Sequence, residues 1–257
     1  MRVTRLSTTP IKGFALHHPD EIDLRVTGVV GDRVFYVVDE RDSLFSIAKS
    51  GAFTGVRADY DAETGRLALV RGSEVLADGI VVCGEESEAD FFAFKKVAGD
   101  VVDGPWSDVL SAIGGRPLRL VKGRTPDAAH DVEPVTLLGD ASSARLAEQA
   151  GVEDMDARRF RMLIEFEGAA PHAEDRWEGQ RLQIGSAIVE VGGPVQRCAG
   201  TTRNPDSGDV DLRTLQLIGD YRGRQESIFG PGFNFGVYAR VIDEGRIRVG
   251  DTLELLG

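Results

Sequence analysis

The chain has 257 residues, 42% of them hydrophobic and 28% charged, with a formal net charge of −12, the composition of a globular protein of one large or two ordinary domains. Its acidity argues against nucleic acid as a partner, because phosphate neutralisation needs a basic face and no long Lys/Arg run is present. No apolar run nears the ~20 residues of a membrane helix, and residues 1–6 lack the apolar core of a signal peptide. The two cysteines, Cys83 and Cys198, cannot build a disulfide framework, so a cytoplasmic location and no membrane partner are expected.

Short runs rich in β-branched and large apolar residues, bounded by Gly, Pro and Asp, predict strands at 2–6, 21–26, 33–38, 67–70, 80–83, 118–121 and 163–166. A helix is predicted at 106–113, where apolar residues fall at helical spacing after Pro105 and Gly114-Gly115 follows. A second is predicted at 140–150, with Asp140 as its cap and Gly151 as its stop. A third, at 211–218, places Leu212, Leu215 and Ile218 on one face. Three further strands, 181–191, 235–242 and 252–256, close the chain. So many short strands with frequent turns imply a mainly β fold with a few short helices, and a barrel or sandwich. The polar connector 123–131 divides it into expected domains 1–123 and 124–257.

Reactive chemistry concentrates in the loop Gly192-Gly193-Pro194-Val195-Gln196-Arg197-Cys198-Ala199-Gly200-Thr201-Thr202-Arg203. A thiol is a nucleophile or soft-metal ligand only as thiolate, a form that Arg197 and Arg203 would favour if they fold towards it. Packing beneath a turn is the other reading of Cys198, since free cysteine is among the most buried residue types, and Cys83, which ends the apolar run Ile80-Val81-Val82-Cys83, is expected to be packed. His17, His18, His130 and His172 show no paired metal-binding spacing. Asp206 reads as part of an Asn-Pro-Asp-Ser-Gly turn, Asp211 as a helix start. Lys12, Arg33, Arg158, Arg159, Arg161, Arg197 and Arg203 gather at turns and segment ends, where an anionic small ligand would find them.

From Arg159-Phe160-Arg161 through 174–185, Arg197-Cys198-Ala199-Gly200-Thr201-Thr202, Asn204-Pro205-Asp206-Ser207-Gly208 and 235–241, the C-terminal half resembles a MOSC domain, named for the C-terminal domain of molybdenum cofactor sulfurases. Pro10-Ile11-Lys12-Gly13 and Gly31-Asp32-Arg33-Val34-Phe35 resemble the smaller β-barrel-like domain that precedes MOSC in amidoxime-reducing components and their bacterial relatives. The resemblance implies a MOSC-type β-barrel behind that N-terminal domain, and a molybdenum pyranopterin cofactor. Cys198 would then be the metal-ligating and catalytic thiol. Lys12, Arg33, Arg159 and Arg161 would contact the phosphate and pterin, with Arg197, Thr201 and Thr202 of the cysteine loop beside them.

Two departures stand out against the family pattern: Gly13 replaces a serine, and Met162-Leu163 stand where relatives commonly carry Pro-Asn, which removes a polar pterin contact. No further cysteines are present to hold an iron–sulfur cluster. Three functions are compatible with this pattern. One is a reductase of N-hydroxylated small molecules fed by a separate electron-donor protein. The second is a persulfide carrier at Cys198, supplied by a cysteine desulfurase. The third is a non-catalytic module that binds or carries the cofactor.

Overall fold

The computed structural model describes residues 1–256. Strands hold 43% of the residues and helices 16%, the mainly β class that the short apolar runs predict. The first half contains β1 (Arg2–Leu6), β2 (Glu21–Arg25), β3 (Gly28–Val29), β4 (Phe35–Asp39), β5 (Arg57–Asp61), β6 (Arg66–Arg71), β7 (Glu74–Ile80), the long hairpin β8 (Val82–Phe91) and β9 (Lys95–Asp103), α1 (Trp106–Gly114) and β10 (Leu118–Gly123). The second half contains β11 (Val135–Gly139), α2 (Asp140–Ala150), β12 (Ile164–Glu167), β13 (Arg181–Ile184), β14 (Ala187–Gln196), α3 (Thr214–Arg222), β15 (Asn234–Asp243), β16 (Gly245–Arg248) and β17 (Leu253–Leu256).

A seven-stranded sheet runs in the order β1-β12-β11-β15-β14-β13-β17. Its two edges meet where Arg2 bridges Thr252 and the Leu253 amide donates to the Met1 carbonyl at 3.0 Å. The sheet is thereby a nearly closed barrel, which leaves few unpaired edge groups. Leu137, Val189, Val237 and Leu253 fill it, each no more than 1% exposed. β1 belongs to this sheet through its pairing with β12, while β2 and β3 join β16 in a separate three-stranded sheet whose Ile22, Leu24 and Ile247 pack into the same core. The remaining first-half strands form a four-stranded sheet, β4-β10-β9-β8, and a three-stranded one, β5-β6-β7. Between them lies a second core of Phe35, Leu67, Leu120 and Trp106, whose indole donates to the Leu67 carbonyl at 3.3 Å.

Helix α2 spans the predicted residues, and left-handed Gly115 and Gly151 end α1 and α2 as predicted. Other expectations need correcting. Gly139 occupies the N-cap of α2 and Asp140 lies in its first turn, where its charge still complements the helix dipole. Helix α3 starts at Thr214 because the Asp211 side chain is held by Arg159 and Asn204 instead of capping a helix. The predicted strand 181–191 is a hairpin, turned at Gly185 with φ +57°. The run 80–83 spans the junction of β7 and β8; Cys83 pairs with Val102 just before a bulge at residues 84–85 and is exposed, not packed, in a stretch where Val82, Gly84, Glu85 and Glu86 are exposed as well.

One close approach joins the halves. A side-chain carbon added to Gly208 (φ +78°) would sit 2.2 Å from the Gly51 carbonyl oxygen, so neither steric space nor backbone preference admits another residue there. Gly208→Ala is expected to lower stability by at least ~2 kcal/mol, read as a fall in denaturant midpoint at constant slope. Gly72→Ala, at φ +59° with nothing within 4 Å, should cost about 1 kcal/mol or less; equal losses would contradict this account.

Candidate functional site

Cys198 follows an irregular stretch of β14. The pairing with β15 shifts between Val191 and Pro194 and again before Gln196, so Pro194, which lacks an N–H, sits at a bulge. The loop then closes into a single 3₁₀ turn, Ala199–Thr202, at whose start the Cys198 carbonyl accepts from the Thr201 amide (3.2 Å) and hydroxyl (3.1 Å). The Cys198 side chain itself is exposed. It opens onto a cleft of about 370 Å³ that is also lined by Lys12, Arg33, Arg159, Arg161, Arg197 and Thr201. Residues more than 100 positions apart thus converge as the sequence reading expected. Thr202 lies outside this cleft, its hydroxyl donating to the Ala199 carbonyl at 2.7 Å.

The cations are held largely by backbone carbonyls. Lys12 donates to the Ala129 carbonyl at 2.7 Å and pairs with Asp131 at 2.9 Å. Arg33 pairs with Asp32 and donates to the Arg161 carbonyl at 3.2 Å. Arg161 donates to the Phe14 carbonyl at 2.7 Å, which leaves most of its five N–H donors free. Arg159, 7% exposed, binds the carbonyls of Thr201 and Arg203 and the Asp211 carboxylate at 3.1–3.2 Å, while its buried Nε has no partner. Burial pulls the Arg161 and Arg197 guanidinium groups down to about 9 and about 10, yet both stay charged at neutral pH.

The condition under which Arg197 and Arg203 would favour the thiolate is not met by hydrogen bonding, because both guanidinium groups are committed elsewhere. Arg197 donates to the Phe235 and Phe160 carbonyls at 2.8 and 2.9 Å and to the Met162 sulfur at 2.7 Å. Arg203 donates to the Ile47 and Gly208 carbonyls at 2.7 and 3.0 Å. Buried carbonyls beside the loop are stronger acceptors than a thiol and would cost more if left unmade. Met162 and Leu163, where the sequence departs from the family pattern, are each 1% exposed and fill core, and the Met162 sulfur accepts from Arg197. Asp206 sits in the predicted turn, whose Asn204 side chain accepts from the amides of residues 206 and 207, and pairs with Arg158 at 2.9 Å.

Several lining residues escaped the sequence reading. Lys95, the first residue of β9, donates to the carbonyls of Ala128 and His130 at 3.1 and 2.6 Å, and it faces the Phe91 ring, as Lys12 does. Tyr238, 6% exposed, keeps its proton because burial and then Asp131 push the phenol well above its ordinary range. Phe92, Phe94 and Phe229 stand at the rim. The signal was there in Phe91-Phe92-Ala93-Phe94-Lys95, an aromatic run in an acidic chain. Altogether six cations line the cleft (Lys12, Arg33, Lys95, Arg159, Arg161, Arg197) with two carboxylates, Asp131 and Glu133. Even with Asp32 and Asp211 behind them, the balance is positive in a chain of net charge −12. Three of the six non-glycine residues with positive φ, Arg33, Phe92 and Arg161, lie here, and such conformations persist where the surroundings enforce them.

A MOSC domain model matches residues 124–254, half of the chain, and the protein belongs to the MOSC domain family. Its relatives include amidoxime-reducing components and molybdenum cofactor sulfurases. It is 32% identical to mitochondrial amidoxime-reducing component 1 of Mus musculus over 130 residues, 46% of this chain and 38% of that protein. To the molybdenum cofactor sulfurase of Caenorhabditis briggsae it is 30% identical over 152 residues, 57% of this chain and 21% of that protein. The chain therefore spans about two fifths of the first relative and one fifth of the second. The solved YuaD protein of Bacillus subtilis aligns over 99% of this chain and 94% of its own at 12% identity, with a TM-score of 0.45. No helix among the described residues is long and apolar enough to cross a membrane.

His130 reports the field of this site. It is 4% exposed, its Nε2 has no partner, and burial followed by Arg33 and Lys12 pulls its pKa down to about 3. Between the unfolded value near 6.5 and that folded value the unfolded chain binds the extra proton, so this contribution is present above pH ~6.5 and is lost as pH falls towards 3. Wild type should therefore lose about 2 kcal/mol more stability than His130→Gln between pH 7 and pH 5, measured by urea unfolding. Parallel losses would mean that the imidazole titrates normally in the fold.

Proposed function

We propose that the chain binds a molybdenum pyranopterin cofactor in the Cys198 cleft and reduces N-hydroxylated small molecules. The observation that carries this reading is one soft, exposed thiol at the end of a cleft with excess positive charge. Thiolate suits molybdenum, whose other sulfurs the pterin dithiolene brings, and guanidinium and ammonium groups suit the pterin phosphate. Gly13, at φ +90° with only Ile47 within 4 Å of an added side-chain carbon, leaves that wall open. The donor set therefore fits the group, and a family shared with amidoxime-reducing components and molybdenum cofactor sulfurases supports it.

When bound, the cofactor supplies a metal centre able to accept an oxygen atom and pass two electrons. The protein's part is placement. Cys198 Sγ would ligate the metal; Lys12, Arg33, Arg159 and Arg161 would hold phosphate and pterin, with Arg197 and Thr201 fixing the loop between them. Thr202, turned to its own backbone, is left out of the proposed contacts. We propose a separate redox protein as electron donor, a cytoplasmic setting, and domains at 1–123 and 124–257 with β1 and β2 crossing over to pair with β12 and β16 of the second half.

The test uses protein made in a cofactor-producing host and an artificial electron donor. Cys198→Ser should lower amidoxime reduction by about a hundredfold or more, while Cys83→Ser, a change at an exposed strand position, should leave rate and stability unaltered. Metal-free wild type that accepts labelled sulfur on Cys198 from a cysteine desulfurase, and never reduces substrate once loaded, would replace this reading with the sulfur-carrier one.

A further inference from the structure

Two loops from distant parts of the sequence meet over the mouth of the cleft. The β8–β9 hairpin carries Phe92 and Phe94, and the loop after α3 carries Phe229. The Phe94 and Phe229 rings stand 4.6 Å apart, inclined at 65°, an edge-to-face pair. Apart from each other these rings have little cover: Phe92, Phe94 and Phe229 are 55%, 49% and 42% exposed, and all three line the same cleft as Cys198. The hairpin tip places Phe92 at φ +59° and Ala93 at φ +57°, positions that Asn and Gly fill at lower cost. The strained tip thus presents aromatic rings to solvent at the entrance of a cationic site, where asparagine or glycine would be more soluble and less strained.

We propose that Phe94 and Phe229 form an aromatic gate that selects substrates whose reacting group is attached to a planar aromatic ring. An entering ring replaces the Phe94–Phe229 contact with equivalent edge and face contacts and covers the exposed rim. An aliphatic substrate gains much less, and a cationic one meets the charge of Lys12, Lys95 and Arg161 behind the gate. The assignment rests on the reductase reading for its reaction but not for its geometry, so it is tested first without metal.

In a Cys83→Ser background, metal-free protein is alkylated at Cys198 with iodoacetanilide and with iodoacetamide, and the ratio of the two rates is normalised to that of free cysteine. The gate predicts a ratio about fivefold above free cysteine, falling to the free-cysteine value in Phe94→Ala/Phe229→Ala and partway in Phe94→Leu. A ratio that the double variant leaves unchanged would overturn the proposal. So would sedimentation showing a dimer that the double variant dissolves, which would give the rings to a second copy of the chain. With metal-loaded protein, the double variant should raise KM for an aryl amidoxime about fivefold and for its methyl counterpart less than about twofold. If loaded wild type reduces neither compound while the thiol ratio behaves as expected, the reductase reading fails and the gate stands; reduction with a flat thiol ratio removes the gate alone.

Discussion

Positive charge solvated by backbone carbonyls is the arrangement on which this site depends. Arg161 leans on the Phe14 carbonyl, Arg197 on those of Phe160 and Phe235, and Lys95 on those of Ala128 and His130. A carbonyl satisfies an N–H donor without cancelling its charge, whereas a carboxylate would do both. Burial, and then the charge of Arg33 and Lys12, keep His130 neutral, and Lys12 with Arg33 and Lys95 holds the half-exposed Asp131 carboxyl below its ordinary range.

The fold makes those carbonyls available where it is irregular. The bulged end of β14, the left-handed residues Arg33 and Arg161, and the single-turn helix after Cys198 all interrupt ladders that would otherwise consume the same groups. Regular strands supply the frame instead. β1 hydrogen-bonds to β12 and the barrel edges meet through Arg2 and Thr252, so the first residues of the chain are fixed to the second half. From that anchor Lys12 and Arg33 reach a cleft whose thiol is far away in sequence. A charge field of this kind favours an anionic ligand before any specific contact forms.

Much of the fold was legible because its signals are local. The apolar run of β1 and the glycine that stops α2 are found where the sequence places them. Strands β8 and β9 were missed because Glu85, Glu86, Glu88 and Lys96 face solvent and dilute the alternation that marks a strand. Cys83 was misjudged because an apolar run marks a strand but not whether another layer covers it, and the start of β8 lies exposed from Val82 to Glu86. At the site, the convergence of Lys12, Arg33, Arg159 and Arg161 on Cys198 could be expected from the motif. The direction in which Arg197 and Arg203 point could not, since it is set by carbonyls that only the tertiary fold brings near. Phe94 and Phe229 were invisible as a pair, being more than 130 positions apart.

In the proposed function this carbonyl-held charge, together with one thiol, retains an anionic molybdenum pterin. Molybdenum content and pterin fluorescence, measured on wild type, Cys198→Ser and Arg161→Met purified from a cofactor-producing host, test it directly. The account predicts equimolar metal and pterin in wild type, loss of both in Arg161→Met, and pterin with depleted metal in Cys198→Ser. Wild type that carries neither, or an Arg161→Met variant that retains both in full, would contradict it.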